Sequence, residues 1–544
     1  MNAVVLNPLS QESNAACRRE FTALQRCQPL IRGSSLAAFV LLLAGCAGMP
    51  ADYGRKEVDQ LLQARGAPTE SPGGVLLASL IADPISPENA VRIALINNHD
   101  LQSTYATLGF GAADVYEAGR IRNPVIGAAV LNSSVSTDRN QVTLGLAMSF
   151  TDLITLPARK RLALASFTAL QQSVGAEVLA VAAQTENAYY NYVAAQQVAT
   201  LRAQIAKAGA ISAALASRYR DAGNITSREL AMERAAASQT RLASLEAKAH
   251  ALAARVELAN IFGLSVSGTW QIPAKLQLPV KQEDDLGRLV ELAKEMRLDL
   301  ASAHARANVQ ADRLGVVNWT RWLGDLEVGY EQERETDGAR LTGPSLQWEI
   351  PIFNQHEDAR VRADVQLQIA LNDVRRVTID VENSVRLSRA AVGNARERIA
   401  EYRDVLIPQR IESVAFAQQE VNYMLIGIFE LIALKQEEYD TYQGYLESIR
   451  DYWLARTSLE LAVGSALPSS TEANRPSIDI EQFIHPAAGG MDHSMHGSMS
   501  SAPSMNKMKN IGSMPTDHSS HMKLDKTAQP NHTQHQNHGN GGSQ

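Results

Sequence analysis

The carboxyl-terminal end of the sequence concentrates the two residue types that bind soft metal ions. Seven of the 13 methionines and seven of the 12 histidines lie after residue 489. Thioether sulfur is a soft ligand that selects Cu(I) or Ag(I), whereas imidazole also binds Cu(II), zinc and nickel. The candidate ligands are Met491, His493, Met495, His496, Met499, Met505, Met508, Met514, His518, His521, Met522, His532, His535 and His538. This composition predicts a metal-binding tail, and its methionine content favours Cu(I) or Ag(I).

The same tail, residues 489–544, has no hydrophobic periodicity and is rich in Ser, Gly and Asn, so it is predicted to be disordered. Disordered segments normally lack methionine, because an apolar side chain there has no core to fill. The run MDHSMHGSM at 491–499 is similar to segments of periplasmic copper-handling proteins. We expect a role in metal capture or sensing in the periplasm. The alternative is a compositional drift with no physiological ligand.

The rest of the chain shows no arrangement that is typical of an active site. His99, His250, His304 and His356 are isolated, and the serines and carboxylates are not spaced as catalytic groups are. The net charge of −7 argues against a nucleic-acid-binding protein, which would normally show a basic patch. We therefore expect a protein that is not an enzyme, requires no cofactor and binds no nucleic acid.

Long helices dominate the elements that must position these groups. Residues 359–464 predict a helical hairpin that turns near Gly427. Its first limb carries a seam with steps of three and four, close to a coiled-coil period. The seam residues are Val374, Val377, Val381, Val385, Ser388, Val392, Ala395 and Ile399. At about 1.5 Å per residue, a limb of roughly 65 residues would be about 100 Å long. A similar hairpin at 158–263, with a turn near Gly223, precedes it.

A pair of strands precedes each hairpin. Apolar and polar residues alternate within about 125–150 and about 323–353, which predicts strands with one apolar and one polar face. The apolar positions are Val142, Leu144, Leu146 and Met148 in the first pair and Leu326, Val328, Tyr330, Leu346, Trp348, Ile350 and Ile352 in the second. Turns are expected at 137–140 and 335–338. Trp319, Trp322 and Tyr330 are placed where an interfacial aromatic girdle would lie.

The order helix, β-hairpin, long helical hairpin therefore occurs twice. Ala158 matches Ala359 at an offset of 201, and Gly223 matches Gly427 at an offset of 204. The predicted divisions are a leader (1–45), an extended arm (46–86), a first repeat (87–263, hairpin about 158–263), a linker (264–284), a second repeat (285–466, hairpin about 359–464), a carboxyl-terminal linker (467–488) and the tail. The first helices of the repeats are expected at about 87–119 and 284–316.

The amino-terminal leader reads as a secretory signal. An apolar run at 36–46 follows Arg32, and residues 43–46 read LAGC, which resembles a bacterial lipobox. In such signals the cysteine, here Cys46, is lipidated and becomes the mature amino terminus. Ala47 behind it implies sorting to the outer membrane, whereas the alternative is an ordinary signal peptide. Cys17 and Cys27 lie in the leader, so no disulfide framework is expected, and no run of 18 apolar residues predicts a membrane-spanning helix.

From about residue 80 to 466 the chain resembles the TolC family of outer-membrane efflux proteins, specifically the lipoprotein members that work with resistance–nodulation–division pumps. The resemblance rests on the duplication, on Asn123 and Pro124 before the strands, and on the run GPSLQWEIPIF at 343–353 leading into Ala359. The run LIP at 406–408 and the turn stretches at 219–223 and 423–427 complete it. Pro408 has no counterpart in the first repeat, which predicts that the two hairpins bend differently.

This resemblance implies a mainly α fold with a small β part, assembled as a homotrimer. Each protomer would give four strands to a 12-stranded outer-membrane β-barrel standing on an α-helical periplasmic barrel. A lone four-stranded sheet in lipid would leave its edge groups unpaired, so closure by further copies agrees with the physics. The resemblance further implies a passive channel in the bacterial outer membrane. A periplasmic adaptor and an inner-membrane resistance–nodulation–division pump would be its partners, and lipid would surround it.

The hairpin turns are the candidate periplasmic gate, since family members narrow there and often carry acidic rings. The acidic candidates are Asp221, Glu229 and Glu430, beside Gly223 and Gly427. Three like charges around a pore would favour cations. Alternatively, acidic residues after a turn only stabilise the next helix amino terminus. The apolar residues Met424, Leu425, Ile426 and Phe429 suit either a dewetted constriction or adaptor docking, and the sequence does not separate these.

Three functions remain open from the sequence. The leading prediction is the outer-membrane channel of a tripartite pump that exports Cu(I) or Ag(I). The second keeps the channel but changes the cargo to zinc, cobalt, cadmium, nickel or organic compounds. The third is a periplasmic metal-buffering lipoprotein whose helices are only a scaffold. The two-faced strands argue against the third, because a soluble scaffold has no use for outward Leu, Trp and Ile.

Overall fold

The computed structural model describes residues 52–68, 77–132, 134, 139–471 and 476–484. Cys46 and all of the predicted metal ligands of the tail lie outside these ranges, so their roles stay predictions. The chain divides into two units, and the second, residues 487–544, contains the tail. Everything below concerns the first unit.

Most of the described residues are helical. The helices are α1 (Arg55–Gln63), α2 (Leu77–Ala82), α3 (Pro87–Asn97), α4 (His99–Ala118), α5 (Phe150–Asp221), α6 (Ser227–Phe262), α7 (Leu286–Met296), α8 (Leu298–Thr320), α9 (Glu357–Glu401), α10 (Ile407–Asn422), α11 (Ile428–Val463) and α12 (Glu481–Ile484). A π-helical turn at Tyr402–Leu406 joins α9 to α10, and a 3-10 turn covers Pro468–Thr471. The predicted pair of long hairpins is therefore present as α5–α6 and α9–α10–α11.

The strands form one larger and one very small sheet. They are β1 (Val125–Leu131), β2 (Gln141–Ser149), β3 (Leu276–Gln277), β4 (Leu326–Arg334), β5 (Arg340–Trp348) and β6 (Ser477–Ile478). The larger sheet is antiparallel throughout, in the order β1-β2-β4-β5, and β3 pairs with β6. The β2–β4 pairing joins the two repeats, and β1 and β5 are the edges of the larger sheet.

The long helices enclose the principal core, and the predicted seam faces into it. Val381, Val385 and Val392 are fully buried, while Val374 and Ser388 at the same spacing are half-buried. They pack with residues of α5, α6 and α11 in a cluster that includes Leu201, Phe262, Tyr442 and Tyr452. A second cluster lies closer to the sheet, where α1, α3 and α4 cover Val174 and Val178 of α5. The coiled-coil spacing thus predicted the buried face correctly.

The first hairpin begins earlier than predicted. Ser149, the last residue of β2, accepts a hydrogen bond from the Asp152 amide at 3.3 Å and so caps α5 directly. The helix therefore starts at Phe150 rather than near residue 158, and Pro157 lies inside its opening turns. Both hairpins end as glycine predicts, because Gly263 and Gly464 adopt the left-handed conformation with φ of 63° and 77°.

The extended arm was a wrong prediction, since part of residues 46–86 is helical. The arm contains α1 and α2, and Val58 and Leu62 of α1 are buried against α5 beside Val174. Short helices of this kind have little periodicity of their own. Their stability comes from the surface of α5, which local sequence does not report.

The first helix of each repeat is broken, where the sequence predicted one continuous helix. Asn98 has ψ of 119°, caps α4 through its side chain, and donates a hydrogen bond to the Ile261 carbonyl at 2.9 Å. Arg297 has ψ of 116° and donates to the carbonyls of Leu461 and Ala462, each at 3.2 Å. Each break is thus fixed by a bond to the last turn of its own repeat's hairpin. In the second repeat, the helix after the break, α8, also continues to Thr320, beyond the predicted end near Val316.

The two linkers are more ordered than the sequence indicated. Leu276 pairs with Ile478, so the linker between the repeats and the carboxyl-terminal linker share the small β3–β6 sheet. Gln197 of α5 donates to the Ala274 carbonyl at 2.9 Å, and Phe483 packs against Tyr442 with ring centroids 4.5 Å apart. Both segments are therefore fastened to the same helices, α5 and α11.

Candidate functional site

The larger sheet has one face that is apolar over most of its length, as the alternation predicted, and that ends in the polar pairs Gln332–Thr342 and Arg334–Arg340. Directly opposed residues lie on the same face, and Ile126, Leu146 and Tyr330 form one such row. The exposed large side chains of this face are Ile126, Val130, Leu144, Leu146, Val328, Tyr330, Leu346 and Trp348. Leu346 is 70% exposed although no polar group accompanies it. A surface of this kind is typical of contact with lipid or with another apolar surface.

The opposite face of the sheet is polar and carries carboxylates on one strand. Glu327, Glu331 and Glu333 alternate with the apolar residues of β4, and Gln141 forms a hydrogen bond to Glu333. Neighbouring strands approach closely at Gly329, where a Cβ atom would lie 2.6 Å from the Ser345 hydroxyl and 2.9 Å from the Leu146 carbonyl oxygen. The sheet can therefore separate an apolar medium on one side from water and cations on the other.

The turn of the first hairpin is polar and strongly capped. After α5 ends at Asp221, Gly223 adopts the left-handed conformation with φ of 78°. Thr226 then caps α6: its hydroxyl accepts a bond from the Glu229 amide at 3.2 Å, and the Glu229 carboxylate accepts one from the Thr226 amide at 2.7 Å. This hydrogen bond from the Thr226 backbone, with one from its side chain, lowers the pKa of Glu229.

The turn of the second hairpin has the same backbone but apolar side chains. The amides of Met424 and Leu425 bond to the carbonyls of Val421 and Glu420, just as those of Gly223 and Asn224 bond to Arg220 and Tyr219. Met424, with φ of 59° and 92% of its side chain exposed, thus takes the place of Gly223. Tyr423 and Leu425 beside it are also exposed.

The register predicted for the turns was therefore wrong. Gly223 is equivalent to Met424 at an offset of 201, the same offset that relates Ala158 to Ala359. Gly427 is instead the N-cap of α11, equivalent to Thr226, and has no side chain to cap with. Two glycines were matched because glycine is the residue expected at a left-handed position. The second repeat keeps that conformation with methionine.

The structure brings the two turns side by side. The rings of Tyr219 and Phe429 lie 6.0 Å apart, edge to face. Asp221 and Glu430 are exposed near this contact, whereas Glu229 is half-buried and engaged by its own helix. The predicted gate residues thus share one end of the molecule. Whether they surround a pore depends on other copies of the chain, so their gate role stays a prediction.

Sequence reasoning missed a buried ion-pair network where the linker crosses α9 and α11. Arg456 and Glu283, both almost fully buried, form an ion pair at 2.7 Å. The Glu283 carboxylate also accepts from Arg396 at 3.1 Å and from the Tyr452 hydroxyl at 2.7 Å. Arg456 donates a further bond to Ser469 at 2.9 Å. The only signal in the sequence is an arginine among the largely aromatic and aliphatic residues that α11 buries.

A cavity of about 570 Å³ lies where α3, α5 and α11 meet residues 65–68. The rings of Tyr190 and Trp453, stacked with centroids 5.1 Å apart, form part of its wall. Glu186 points toward it and accepts a hydrogen bond from Thr457 at 3.1 Å. Burial, and then the nearby Glu460, raise the pKa of Glu186 to about 7.

The described residues offer neither a metal-ligand cluster nor a membrane-spanning helix. No three His, Cys, Asp or Glu side chains there are grouped so that they could hold a metal ion. Within the same part of the chain, every helix is too short or too polar to cross a membrane. The predicted tail ligands lie outside the described residues.

Comparison with known proteins agrees with this architecture. Residues 90–264 match the profile of the family described as outer membrane efflux protein. Protein CyaE of Bordetella pertussis is 24% identical over 319 residues, which is 54% of this chain and 67% of the relative. Among solved structures, the outer membrane channel CmeC of Campylobacter jejuni superposes with a TM-score of 0.60 at 15% identity, covering 75% of this chain and 90% of CmeC. CusC superposes with a TM-score of 0.56 at 13% identity, covering 70% of this chain and 92% of CusC.

The fold of the described residues is that of the TolC-like outer membrane channels. Within it, residues 90–264 match the model of the outer membrane efflux protein family. Members of that family are channels and not enzymes, which confirms the prediction that this chain is not an enzyme.

Proposed function

We propose that this protein is the outer-membrane channel of a tripartite efflux system and that it passively conducts Cu(I) or Ag(I) out of the cell. Three copies would close into one channel. An adaptor would join the hairpin turns to a proton-driven resistance–nodulation–division pump in the inner membrane, which would supply the energy. The observation that carries the proposal is the open sheet with opposite apolar and polar faces, mounted on two long helical hairpins.

The sheet favours closure by further copies. Strands β1 and β5 are edges, and the exposed Ile126 and Leu346 of these strands face the same side. In lipid, the free N–H and C=O groups of both edges would lack partners. Pairing β5 of one copy with β1 of the next removes both edges and encloses the carboxylates of β4 within the ring.

The helices present unpartnered apolar side chains at the same two flanks. Near the sheet, α5 and α8 are central, and the outer helices are α4 with exposed Phe110 and α9 with exposed Val365 and Ile369. Toward the turns, the central pair is α5 and α11, and the outer helices are α6, with exposed Leu242 and Leu245, and α10. Repeat one thus supplies one flank and repeat two the other at every level. A head-to-tail ring would cover both.

The second turn supports adaptor docking. Tyr423, Met424 and Leu425 are exposed together at the end of the hairpin farthest from the sheet. Exposed apolar clusters of this kind mark interaction sites. A constriction made by the same residues is the alternative, and Asp221 or Glu430 would then add a ring of like charge that favours cations.

The cargo rests on the tail and on the polar face of the sheet. Methionine and histidine in residues 489–544 favour Cu(I) or Ag(I), and Glu327, Glu331 and Glu333 would line a lumen that tolerates cations. Lipidation at Cys46 would fix the amino terminus of the mature chain to the outer membrane. Zinc, cobalt, cadmium, nickel and organic compounds are the alternative cargoes.

Assembly is tested with the mature full-length chain in detergent. Light scattering is expected to give the mass of three protomers, and planar bilayers are expected to show channel conductance. L242E/L245E places two charges on the α6 flank and should yield folded monomers. H250E, which adds one such charge elsewhere on exposed α6, should stay trimeric. A wild-type protein that is monomeric and gives no conductance would refute the proposal.

Cargo is tested by deleting the gene and measuring growth on copper, silver, zinc, cobalt and a dye. We expect tolerance to copper and silver to fall at least tenfold and to return with the wild-type gene. A chain truncated after Ala488 should assemble but restore tolerance incompletely. Loss of dye tolerance alone would show that the metal assignment is wrong. Mass spectrometry of the mature amino terminus tests lipidation, since an unmodified Cys46 would contradict the lipid anchor.

A further inference from the structure

Beyond Tyr330, the apolar face of the larger sheet continues into the polar pair Gln332–Thr342 and then into two opposed arginines. Arg334 of β4 and Arg340 of β5 are a direct cross-strand pair, on the same face as Val328, Tyr330 and Leu346. Directly opposed like charges destabilise a sheet unless something of opposite charge lies between them. We call this pair the arginine row. An anionic partner would relieve the repulsion between its two charges.

The described part of the chain does not supply that partner. No salt bridge joins either arginine to a carboxylate among the described residues, and Glu333 points to the opposite face. The Nε atom of Arg334 is buried without a hydrogen bond there, and its Nη2 atom lies 3.5 Å from the Asn140 carbonyl. Arg139 adds a third guanidinium beside the row, because a Cβ on Gly338 would lie 3.2 Å from its Nη1 atom.

The distance from the arginine row to the aromatic end of the same face can be compared with the thickness of a membrane's apolar layer. Eight residues separate Arg334 from Leu326, which is paired with Trp348. At about 3.3 Å per residue this is roughly 26 Å along the strand, or about 20 Å of membrane depth for a strand tilted by about 40°, against an apolar band of about 25 Å in outer-membrane proteins. Trp322 continues the aromatic side beyond Trp348. The arginine row then falls where lipid headgroups begin.

We propose that the arginine row, with Arg139, binds phosphate groups of anionic lipid in the leaflet farther from the helices. This inference rests on the proposed function, because it requires the apolar face to contact a membrane. Guanidinium groups bind phosphate through paired hydrogen bonds, so two opposed arginines can hold one headgroup from both sides. The same phosphate would remove the repulsion within the pair.

Thermal unfolding of the full-length protein in detergent tests the proposal. The probes are a glucosamine-disaccharide lipid with two phosphates, the same lipid without phosphate, and inorganic phosphate at equal phosphate concentration. We expect the phosphorylated lipid alone to raise the unfolding midpoint, by about 3 °C or more, and the rise to shrink with added salt. An equal rise with the phosphate-free lipid, or with inorganic phosphate, would overturn headgroup binding.

Variants identify the residues that are responsible. R334Q/R340Q should lose most of the rise, and R334K/R340K, which keeps the charge without the paired donors, should retain part of it. The control R362Q/R375Q removes two exposed arginines of α9 and should respond as the wild type does. A rise that persists in R334Q/R340Q would refute the arginine row. Wild-type conductance without any lipid effect would defeat this inference alone, whereas a monomer without conductance would defeat the channel itself.

Discussion

The two helical hairpins have equivalent backbones and place different chemistry on them. At an offset of 201 residues, Gly223 corresponds to Met424, Thr226 to Gly427, and Arg255 to Arg456. The first hairpin has a polar, capped turn, and its Arg255 stacks on Trp270 at 3.9 Å. The second has an apolar, uncapped turn, and its arginine is held in a buried ion pair. The duplicated fold is therefore preserved by backbone bonds, while side chains at equivalent positions are free to differ.

The largest expected effect on the free energy of unfolding concerns the two equivalent arginines, Arg255 and Arg456, which have different partners. E283Q leaves the Arg456 guanidinium buried without its counter-charge, and we expect unfolding free energy to fall by about 3–5 kcal/mol. R255A in the first repeat should lower it by only about 1–2 kcal/mol, because Arg255 bonds to backbone carbonyls and is partly exposed. Denaturant unfolding measures both. Equal losses would show that the two arginines are equivalent after all.

A second difference concerns Glu186, whose equivalent in the second repeat is the exposed Leu387. The pKa of Glu186 is about 7 in the folded chain against 4.5 for the ordinary group, so the folded state binds more protons between those values. Stability is therefore fully present below about pH 4.5 and is lost as pH rises through 7. The loss is on the order of 3 kcal/mol. E186Q should flatten this pH dependence of stability, and the exposed-site control E257Q should not. The measurement is the free energy of unfolding of both variants and the wild type at pH 5, 6, 7 and 8.

The caps of the second helices give a smaller effect that can be exchanged between the repeats. T226A removes the capping box of α6 and should lower stability by about 1 kcal/mol. G427T installs a capping side chain at the equivalent position of α11 and should raise stability by about 0.5 kcal/mol. Differential scanning calorimetry on the two variants measures the pair. A loss of stability in G427T would indicate that the second turn cannot accommodate a capping side chain without strain.

The smallest effect on stability is expected at the left-handed turn position, Gly223 or Met424. At Met424, a substitution that raises stability is expected to lower metal tolerance. M424G relieves a conformation that disfavours side chains and should stabilise the chain by about 1 kcal/mol or less. G223M should destabilise it by a similar amount. If Met424 contacts the adaptor, M424G should nevertheless reduce metal tolerance in cells, whereas G223M should leave it largely unchanged. Unaltered tolerance in M424G would separate the strain from partner binding.

The sequence predicted the long hairpins and the two-faced strands because each depends on a period repeated over many residues. Val381 and Val392 were assigned to the buried face correctly, as were Leu146 and Tyr330 to the apolar face. The breaks at Asn98 and Arg297 were not predicted, since each is fixed by carbonyls more than 160 residues away.

The candidate site was predicted less completely for a different reason. The turns were located, but Met424 was hidden by the usual preference for glycine, and Glu283 and Arg456 become partners only when the linker crosses α11. The gate assignment of Asp221, Glu229 and Glu430 concerns an arrangement of several copies, which one chain's periodicity does not encode.

The unlike turns have a consequence for the stoichiometry of any partner. A closed ring of three copies would carry six hairpin ends, and Tyr219 beside Phe429 shows that polar and apolar ends are neighbours. The backbones of the rim would then have approximate sixfold symmetry, whereas its side chains would have only threefold symmetry. A partner seeking only helical rods could bind six to a ring, whereas one seeking Met424 would bind three. Counting adaptors per channel would therefore show whether the adaptor recognises the helical rods or the Met424 side chain.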